Sequence, residues 1–516
     1  MSQQSSTLPD VFRGYVNLAA EALGTFVLHA TDEYFAEKEN LLKADPPQWI
    51  DGEYTNRGKW MDGWESQRRR QPGHDSCIIR LGAPGYIHGL IVDTTHFKGN
   101  APTDIAVEGI SAPDTSTADD LIDADGWVPL LAQTPVKPDF QNIFSVRPLS
   151  RTTHVRLRIY PDGGVARFRV FGQVVPSEST FWGVGSIDLA AVENGAAIVA
   201  ESDQFFGPAS NLLMQGSGTH MGDGWETKRR RTPGSDWCVI RLARRGMIDR
   251  IELDTHFFKG NAPQATWLEV IDVHNLHPDD FAHRLRSPEG WTPLVSRTPL
   301  VQHRRHQLRP DRIMAATHVR VHIDPHGGVN RLRLYGHALD TTEEKHRIGV
   351  LNALKKDDAR ILLLSMNGSS QWADTMSDQR PIMSVRDLFR KADHSWWNLG
   401  ESDFLEAFAA HPRLGQMRHA LSQTETSLAW SRGEQRVALR AERSVLESMA
   451  ALNDEYFEKF GFIFICYASG RSASELLETL EQRIENSRPT EIDNAAREQA
   501  KITRLRIEKW LKEISG

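Results

Sequence analysis

The chain has 516 residues, of which 40% are hydrophobic and 25% are charged, so it contains enough apolar material for several buried cores. A chain of this length is expected to form about three domains. The formal net charge of −7 argues against binding to nucleic acid or to an anionic membrane, because both need a sustained basic surface. We therefore expect small-molecule substrates, with no nucleic-acid or membrane partner.

The beginning of the chain, MSQQSSTLPDVF, lacks the basic stretch and the apolar segment of a signal peptide, and no run of about eighteen apolar residues occurs. The three cysteines, Cys77, Cys238 and Cys466, form no CxxC pair. This pattern indicates neither a disulfide framework nor a cysteine zinc site. A cytoplasmic protein is expected.

Three blocks of sequence occur twice in the first part of the chain, in the same order and at nearly the same spacing. The pairs are MDGWESQRRRQPGHDSCIIRLG from Met61 and GDGWETKRRRTPGSDWCVIRLA from Gly222, DTTHFKGNAP from Asp93 and DTHFFKGNAP from Asp254, and THVRLRIYPDGGVARFRVFG from Thr153 and THVRVHIDPHGGVNRLRLYG from Thr317. Chance does not account for three ordered matches. We therefore interpret residues 11–175 and 181–337 as two copies of one domain.

Each copy has the pattern of β structure. In the third block of the first copy, the apolar residues Val155 and Leu157 flank Arg156, the turn sequence PDGG follows, and Phe168 stands next to Arg167. This alternation predicts a β-hairpin with one apolar face and one arginine face. Short apolar strands bounded by Gly, Pro and Asp recur in both copies, which favours two tandem antiparallel β-sandwich or jelly-roll domains.

After Gly336 the sequence becomes polar and charged, and it then takes on helical periodicity. Ser472 and Glu475 have the spacing of a capping box at the start of an amphipathic helix. Residues 345–516 are therefore predicted to form an all-α domain.

One arginine of this region falls on the apolar side of its helix. In the last predicted helix, Ala495, Gln499, Ile502, Arg506 and Trp510 share a stripe at three- and four-residue steps. A guanidinium is thus expected where the core should be. Because a buried arginine needs a partner, we expect Arg506 to meet an acidic side chain or an anionic ligand.

The repeated DGWE[ST]xRRR, DT..FKGN and GGVxRxRxxG blocks resemble allantoicase, and the resemblance covers nearly all of both copies. It implies two jelly-roll domains and the hydrolysis of allantoate to ureidoglycolate and urea. The residue types fit such a substrate, because a carboxylate is matched by a guanidinium and ureido groups need fixed donors and acceptors.

The expected allantoate site draws on residues of both copies. Substrate binding is assigned to Arg156, Arg167, Arg169, Arg320, Arg331, Arg333, Asp93 and Asp254, with Asp62 and Asp223 as further acceptors. Glu65 or Glu226 is expected to act as a general acid/base that assists water or the departure of urea. Each arginine could instead be structural, since exposed charged positions often carry no function.

Other features of the β region leave alternatives open. No HExxH or comparable spacing occurs, so the metal requirement of this part is undecided. The duplication permits two sites, one site between the copies, or one degenerate copy. Trp64 and Trp225 are interpreted as core residues rather than as ligand platforms.

The helical part resembles a second family. NGSSQWADTM, LEAFAAHPRLG, WSRGEQ, LNDEYFEKFGFIFI and KITRLRI match, in family order, the decarboxylase of 2-oxo-4-hydroxy-4-carboxy-5-ureidoimidazoline (OHCU). The resemblance implies a lyase that forms (S)-allantoin and requires no cofactor. It assigns catalysis to His411 and Glu434, and substrate binding to Pro412, Ser431, Gln435 and Arg506.

We expect His411 to act as general acid/base, Glu434 to orient or share its proton, and Arg506 to anchor the ring or carboxylate in a desolvated pocket. Each assignment has a structural alternative. Ser431 and Glu434 also have the spacing of a capping box, and His411 also fits a charge interaction with the end of its helix.

Both implied activities belong to purine catabolism. In one alternative the sandwiches are non-catalytic binding modules and only the helical domain is an enzyme; in another the helical domain is a docking module. The density of aspartate and arginine in the repeated blocks argues against the first, and the ordered decarboxylase matches argue against the second. A homo-oligomer is expected.

Overall fold

The computed structural model describes residues 12, 15–183, 185–273, 285, 287, 289–411, 443–468 and 471–513. The chain divides into two compact units. The β unit comprises Met1–Phe181 and Gly185–Leu339, and the helical unit comprises Trp182–Val184 and Asp340–Gly516. Within the described ranges, no helix is both long enough and apolar enough to cross a membrane.

The first half of the β unit, repeat 1, is built around one long strand. Its elements are β1 (Val16–Asn17), β2 (Phe26–Ala30), β3 (Tyr54–Thr55), β4 (Gly58–Lys59), β5 (Trp64–Glu65), β6 (Asp75–Asp93), β7 (Asp104–Ile110), α1 (Ala118–Ile122), β8 (Val128–Pro135), β9 (Gln141–Ser145), β10 (Thr152–Tyr160), β11 (Gly164–Val165) and β12 (Arg167–Val174). An eight-stranded sheet has the order β1-β12-β6-β10-β7-β8, and β2 and β9 also pair with β6. All of these pairings are antiparallel.

Repeat 2 has the same topology. Its strands are β13 (Ile187–Asp188), β14 (Ala197–Glu201), β15 (Trp225–Glu226), β16 (Asp236–Asp254), β17 (Ala265–Ile271), β18 (Thr292–Pro299), β19 (Arg305–Leu308), β20 (Ala315–Asp324), β21 (Gly328–Val329) and β22 (Arg331–Ala338). The sheet order is β13-β22-β16-β20-β17-β18, with β14 and β19 also paired to β16. The duplication and the antiparallel β class predicted from the sequence are confirmed.

The predicted hairpin of the third block is wrong. Strands β10 and β12 do not pair with each other, because β6 lies between them in the sheet. The first half of β6 pairs with β10, with Ile79 opposite Val155, and its end pairs with β12, with Asp93 opposite Arg167. Alternation of apolar and polar residues determines which face a side chain occupies, but it does not identify the neighbouring strand.

The repeated tryptophans belong to the core of the β unit, as predicted. Trp64 and Trp225 are both 0% exposed. The indole nitrogen of Trp64 donates to the carbonyl of Asp32, and that of Trp225 donates to the carbonyl of Asp203, each at 2.8 Å. Burial of these rings leaves neither indole N–H without a hydrogen-bond acceptor.

The described part of the helical unit consists of helices and connecting segments. The helices are α2 (Thr342–Ala353), α3 (Lys356–Asn367), α4 (Ser370–Asp378), α5 (Val385–Trp397), α6 (Glu401–Ala409), α7 (Arg443–Phe460), α8 (Ala473–Ile484) and α9 (Arg488–Glu513). The predicted capping box at the start of α8 is present, with Glu475 N donating to Ser472 Oγ at 3.3 Å and Ser472 N donating to Glu475 Oε2 at 2.6 Å. The predicted helical class is therefore confirmed.

The core of the helical unit includes a residue from a distant part of the chain. Trp182, from the segment that joins the two β repeats, is 1% exposed and packs with the apolar core of the helices. Its indole nitrogen donates to the carboxylate of Glu344 on α2, and its ring stacks near Phe389 of α5 with centroids 6.5 Å apart.

Candidate active sites

The three repeated blocks meet at one end of each β domain, where β6 and β16 finish. In repeat 1, the side chain of Asn100 from the second block donates to Glu65 of the first block at 2.7 Å. The main-chain nitrogen of Gly164 in the third block donates to the carbonyl of Asn100 at 2.8 Å. In repeat 2, Asn261 donates to Glu226 at 2.6 Å. The fold thus gathers residues of all three blocks into one region of each repeat.

Glycine in the third block is required by close packing. A Cβ atom at Gly164 would lie 1.9 Å from a ring carbon of Phe97, and a Cβ at Gly328 would lie 1.9 Å from a ring carbon of Phe258. The preceding Gly163 has a φ of 129°, which side chains rarely allow. These contacts hold the second and third blocks against each other.

In repeat 1, a row of three residues crosses the end of β6. Asp93 lies opposite Gln141 on β9 and opposite Arg167 on β12. Directly opposed residues of antiparallel strands project from the same face. Asp93 accepts hydrogen bonds from the Gln141 side chain at 3.0 Å and from the main chain of Thr95 at 2.9 Å. We call Gln141, Asp93 and Arg167 the repeat 1 row.

Every guanidinium nitrogen of Arg167 donates a hydrogen bond to a protein group. This residue is 2% exposed, and its Nη2 pairs with the carboxylate of Asp62 at 2.6 Å. Its Nη1 donates to the carbonyl of Asp62 and its Nε to the carbonyl of Asp45, each at 2.9 Å. Burial raises the pKa of Asp62, but hydrogen bonds from Arg167, Gln48 and Lys43 outweigh burial and hold this pKa below its ordinary value.

Repeat 2 has the corresponding row with a different composition. Asp254 lies opposite Arg305 on β19 and opposite Arg331 on β22, so an arginine occupies the position of the glutamine. Asp254 Oδ1 lies 2.6 Å from His256 Nδ1, and Asp254 Oδ2 lies 3.5 Å from Arg305 Nη2. Nε of Arg305 also lies 3.1 Å from Glu252. We call Arg305, Asp254 and Arg331 the repeat 2 row.

Arg331 is less completely satisfied than its counterpart. It is 8% exposed, and its Nη1 donates to the carbonyls of Asp223 at 2.6 Å and Asn330 at 2.7 Å. The carboxylate of Asp223 instead accepts from the main chain of Thr219 at 2.6 Å and of His220 at 3.2 Å. Among the described residues, the buried Nε of Arg331 has no hydrogen-bond partner. Burial is the main cause that lowers the pKa of Arg331.

The two predicted general acid/base residues occupy equivalent positions with different burial. Glu65 is 9% exposed, whereas Glu226 is half-buried. Burial raises the pKa of Glu65, and the hydrogen bond from Asn100 opposes this rise. A carboxyl group with a raised pKa keeps its proton closer to neutral pH, which suits a general acid.

Two more of the predicted arginines hold a loop of the protein itself. Nη2 of Arg169 donates to the carbonyl of Lys43. Nη2 of Arg333 donates to the carbonyls of Met214 at 2.6 Å and Gly216 at 2.8 Å. In each repeat this arginine therefore fixes the segment that precedes the DGWE block.

The remaining two predicted arginines lie in separate clusters, beside the beginning of β6 and β16 rather than the end. Arg156 pairs with Glu108 at 2.7 Å and covers the ring of Trp127 at 4.5 Å. Arg320 covers the ring of Trp291 at 4.2 Å. The structure does not bring Arg156 or Arg320 together with the two rows.

In the helical unit, two predicted residues meet. His411 follows α6, and its Nδ1 lies 3.4 Å from Nη2 of Arg506 on α9. Arg506 is 1% exposed, so the stripe correctly predicted that this guanidinium is buried. The Nε2 atom of His411 lies 2.7 Å from Oε1 of Gln499, which lies about two turns before Arg506 on α9.

The surroundings of Gln499 select one tautomer of the histidine. The side-chain amide nitrogen of Gln499 donates to the carbonyl of Asn367 at 2.9 Å and faces the hydroxyl of Thr503 at 3.3 Å. Its amide oxygen therefore points to His411 and accepts the Nε2 proton. Nδ1 of His411 is left as the acceptor that faces Arg506.

His411 is neutral in this environment. Burial, and then the positive charge of Arg506, lower the pKa of His411 to about 3, while the hydrogen bond to Gln499 opposes them. The site therefore combines an uncharged imidazole with a buried cation.

Some site residues could not be placed or were not predicted. Four predicted residues lie outside the described part of the chain: Pro412, Ser431, Glu434 and Gln435. Sequence reasoning placed Gln499 on the stripe of Arg506 without giving it a role. It missed Arg305 altogether, because this residue lies outside the repeated blocks. Within the described ranges, no group of three or more His, Cys, Asp or Glu side chains is arranged to hold a metal ion.

Comparison with known proteins identifies both parts of the chain. The family model for the allantoicase repeat matches residues 16–175 and 187–339, and that for OHCU decarboxylase matches residues 352–508. The chain is 42% identical over 330 residues to probable allantoicase 2 of Burkholderia pseudomallei, covering 64% of this chain and 96% of that protein. It is 41% identical over 327 residues to allantoicase of Dictyostelium discoideum, covering 62% and 87% respectively.

A solved structure supports the same assignment. The crystal structure of allantoicase from Saccharomyces cerevisiae matches with a TM-score of 0.54 and 33% sequence identity, covering 63% of this chain and 95% of that chain. The alternative in which the sandwiches are only binding modules is not favoured. The chain therefore belongs to the allantoicase family, carries an OHCU decarboxylase domain in its helical unit, and is an enzyme of purine catabolism.

Proposed function

We propose that the β unit is a C–N hydrolase that converts allantoate to ureidoglycolate and urea, and that the helical unit decarboxylates OHCU to (S)-allantoin without a cofactor. For the β unit, the supporting observation is the meeting of the three blocks around Glu65, Asn100 and the row of each repeat. For the helical unit, it is the contact between His411 and Arg506.

The first reaction breaks the bond between the central carbon of allantoate and one ureido nitrogen. The oxygen of water joins that carbon, and the departing nitrogen takes a proton, so that urea leaves as a neutral molecule. A protonated carboxyl group can deliver its proton to the nitrogen. Glu65 or Glu226, each held by an asparagine, is the group proposed for this role.

Release of urea from allantoate by the purified full chain tests the first activity. We expect urea to form, and the same assay with and without a chelator decides the metal requirement. Glu65→Gln and Glu226→Gln each keep the shape of the side chain but cannot donate a carboxyl proton. At least one should lower turnover by about 100-fold or more, as expected for loss of general acid catalysis. The exposed Glu289→Gln should retain full turnover.

If both Glu65→Gln and Glu226→Gln turn over allantoate at the normal rate, the general acid assignment is wrong. If the wild-type chain releases no urea with or without chelator, the hydrolase proposal itself fails.

In the second reaction the bond to the carboxylate carbon breaks, carbon dioxide leaves, and a proton is delivered to the ring carbon. The conjugated imidazolone ring of the substrate can hold the electron pair, so neither pyridoxal nor a metal is needed to receive it. Arg506 supplies a buried positive charge for an anionic substrate, and the neutral His411 beside it can exchange a proton. Glu434, outside the described residues, is proposed to orient or share this proton.

Replacement of His411 by Asn tests the second mechanism. His411→Asn removes the titrating group, so stereospecific formation of (S)-allantoin should be lost, while urea release from allantoate by the same chain continues. Formation of (S)-allantoin at the normal rate by this variant would rule out the proton-transfer role. The two activities are not consecutive, because (S)-allantoin must first be ring-opened by a hydrolytic amidase to give allantoate. A homo-oligomer in the cytoplasm stays a prediction, which light scattering and cell fractionation would test.

A further inference from the structure

The two copies of the β domain differ at one end of the row, where repeat 1 has Gln141 and repeat 2 has Arg305. We infer that repeat 2 binds the carboxylate of the substrate through Arg305 and Arg331, and that the corresponding place in repeat 1 is sealed and binds no ligand. This inference rests on the proposed hydrolase function and selects among the arrangements that the duplication allows.

The two repeats differ in the number of arginines at the row. The repeat 2 row places two arginines on either side of one aspartate, with His256 hydrogen-bonded to that aspartate. Arg305 also pairs with Glu252, and its side chain is 45% exposed. The repeat 1 row has a neutral glutamine in place of Arg305, and its single arginine is paired with Asp62. Repeat 2 therefore presents an accessible guanidinium at a position where repeat 1 has none, and a guanidinium is well suited to bind a carboxylate.

The buried arginines of the two rows also differ in the number of free hydrogen-bond donors. In repeat 1, Nε of Arg167 donates a hydrogen bond to Asp45, and Nη1 and Nη2 donate to Asp62. In repeat 2, Asp223 is the counterpart of Asp62 in the repeated DGWE block, and its carboxylate is turned to the main chain of Thr219. Arg331 therefore keeps a buried donor for which the described residues provide no acceptor. A guanidinium in this state gains hydrogen bonds when a carboxylate arrives.

Repeat 1 also contains an insertion that repeat 2 lacks. A short 3-10 helix precedes the DGWE block in each repeat, at Lys38–Leu42 and at Ala209–Leu213. Between this helix and the block, repeat 1 has residues 43–61 and repeat 2 has only residues 214–222. The longer segment forms the β3–β4 hairpin and supplies the partners that close the site, because Gln48 N and Lys43 Nζ bind the Asp62 carboxylate at 2.9 and 3.1 Å.

The inserted segment also covers the histidine of repeat 1. The carbonyl of Pro47 lies 3.2 Å from Nε2 of His96, and the ring of Trp49 lies 5.8 Å from the His96 ring. The counterpart of His96 in repeat 2 is Phe257, which has nearly the same positive φ (72° and 71°), whereas His256 is the counterpart of Thr95 and pairs with Asp254. The inserted segment of repeat 1 therefore contacts both Asp62 and His96 near the end of β6.

The class of ligand follows from the groups around the open row. Two arginines suit a carboxylate, since a guanidinium donates two parallel hydrogen bonds to its oxygens. Glu226 and Asn261, joined at 2.6 Å and belonging to the first two blocks of the same repeat, offer an acceptor and a donor for a urea group. A small carboxylate that carries ureido substituents matches both features.

Matched variants of the full chain test this inference. Arg305→Gln gives repeat 2 the glutamine of repeat 1, and Gln141→Ala alters the equivalent position in repeat 1. Arg305 is 45% exposed, so its loss should leave the fold intact, which the melting temperature would verify. We expect Arg305→Gln to raise KM for allantoate by about 10-fold or more, as for loss of a charge-assisted hydrogen bond. Gln141→Ala should change KM by less than about twofold.

Decarboxylation of OHCU by each variant serves as the internal control. If wild-type chain releases urea and Gln141→Ala raises KM as much as Arg305→Gln, the inference is overturned while the hydrolase function stands. If wild-type chain releases no urea, the hydrolase function fails first.

Binding stoichiometry gives a second test that does not depend on turnover. Titration calorimetry of the Glu226→Gln chain with allantoate should show one bound molecule per chain, and the Arg331→Gln substitution added to it should abolish the heat of binding. Two bound molecules per chain, or undiminished binding after loss of Arg331, would contradict the assignment to repeat 2. The melting temperature of each variant separates loss of binding from loss of folding.

Discussion

Arg167, Arg331 and Arg506 are all at least nine-tenths buried, and the groups around each one decide what it can do. Arg167 forms a buried ion pair with Asp62, so its removal would leave the buried carboxylate with only the exposed Lys43 as a cationic partner. Arg331 keeps an unused donor, and Arg506 faces the uncharged ring of His411. At the scale of single residues, the hydrogen-bond partners of a buried guanidinium therefore decide whether it supports the fold or can bind a ligand.

The hydrogen bond from His411 to Gln499 gives a prediction for the decarboxylase. Gln499→Leu removes the acceptor for the Nε2 proton, so kcat should fall by about 10- to 100-fold, as for other residues that orient a catalytic imidazole. Gln499→Glu keeps an acceptor but adds negative charge, which favours the protonated imidazole and raises the pKa of His411. The pH profile of kcat/KM for OHCU decarboxylation measures both effects.

A purely structural role for Gln499 would give a different result. Both variants would then lower the melting temperature, but the acid limb of the Gln499→Glu profile would stay where it is in the wild-type chain. Urea release from allantoate should be the same in both variants, which shows that the β unit is folded, and the melting temperature reports on the helical unit.

The pH dependence of the wild-type decarboxylase follows from the depressed pKa of His411. An ordinary histidine gains a proton as the pH falls through about 6.5. Burial and the charge of Arg506 lower the pKa of His411 to about 3, so the free enzyme keeps the neutral form far into the acid range. We expect kcat/KM to show no histidine limb between about pH 5 and pH 8. A fall in kcat/KM centred near pH 6.5 that disappears in His411→Asn would contradict this.

At the scale of elements, the long strands β6 and β16 organise each repeat. Each runs through 19 residues and pairs with different strands along its length, so that its beginning meets one set of neighbours and its end meets another. This is why Arg156 and Arg167, close in sequence and similar in pattern, lie in separate clusters. The row residues become neighbours only because β9 and β12 flank the end of β6.

A buried histidine in β10 and its counterpart in β20 make the stability of the β unit depend on pH. His154 is 0% exposed and His318 is 3% exposed. Burial, helped by Arg80 for His154 and by Arg241 for His318, lowers each pKa to about 4. Below about pH 6.5 the unfolded chain binds protons that the folded chain does not, so stability falls as the pH drops from about 6.5 to about 4.

The free energy of unfolding is expected to fall by about 1.4 kcal/mol per pH unit for each histidine in this range. Chemical unfolding of the full chain at pH 7 and pH 5 measures it. His154→Gln with His318→Gln should flatten this acid dependence, whereas substitution of the exposed His346 by Gln should not. An unchanged pH dependence in the double variant would show that other groups cause the acid loss.

At the scale of the whole molecule, repetition made the fold predictable. Two copies with alternating strands, followed by helical periodicity, were sufficient to predict the fold class and to place Arg506 in the core. Strand neighbours were not predictable, because the alternation of Leu157 and Arg156 is the same whichever strand lies beside β10. The difference between the two rows was also hidden, since it depends on Arg305 and on the segment 43–61, which lie outside the repeated blocks.

The packing of Trp182 among the helices was also not predictable from the sequence. It lies between the two β repeats along the chain, yet it is buried among the helices. The sequence around Trp182 gave no reason to assign this residue to the helical unit, because its partners Glu344 and Phe389 are more than a hundred residues away. A helical fragment that begins near residue 345 therefore lacks part of its own core.

The last prediction concerns this residue. Trp182→Ala leaves a cavity in the helical unit and removes a hydrogen-bond donor to Glu344, so it should destabilise that unit by about 3–5 kcal/mol. Trp397→Ala is the matched control, because Trp397 belongs to the same unit but is 48% exposed. During heating, Trp182→Ala should lose OHCU decarboxylation at a lower temperature than wild type, and Trp397→Ala should lose it near the wild-type temperature. Equal losses in the two variants would mean that Trp182 is not part of the core, and the assignment of residues 182–184 to the helical unit would be wrong.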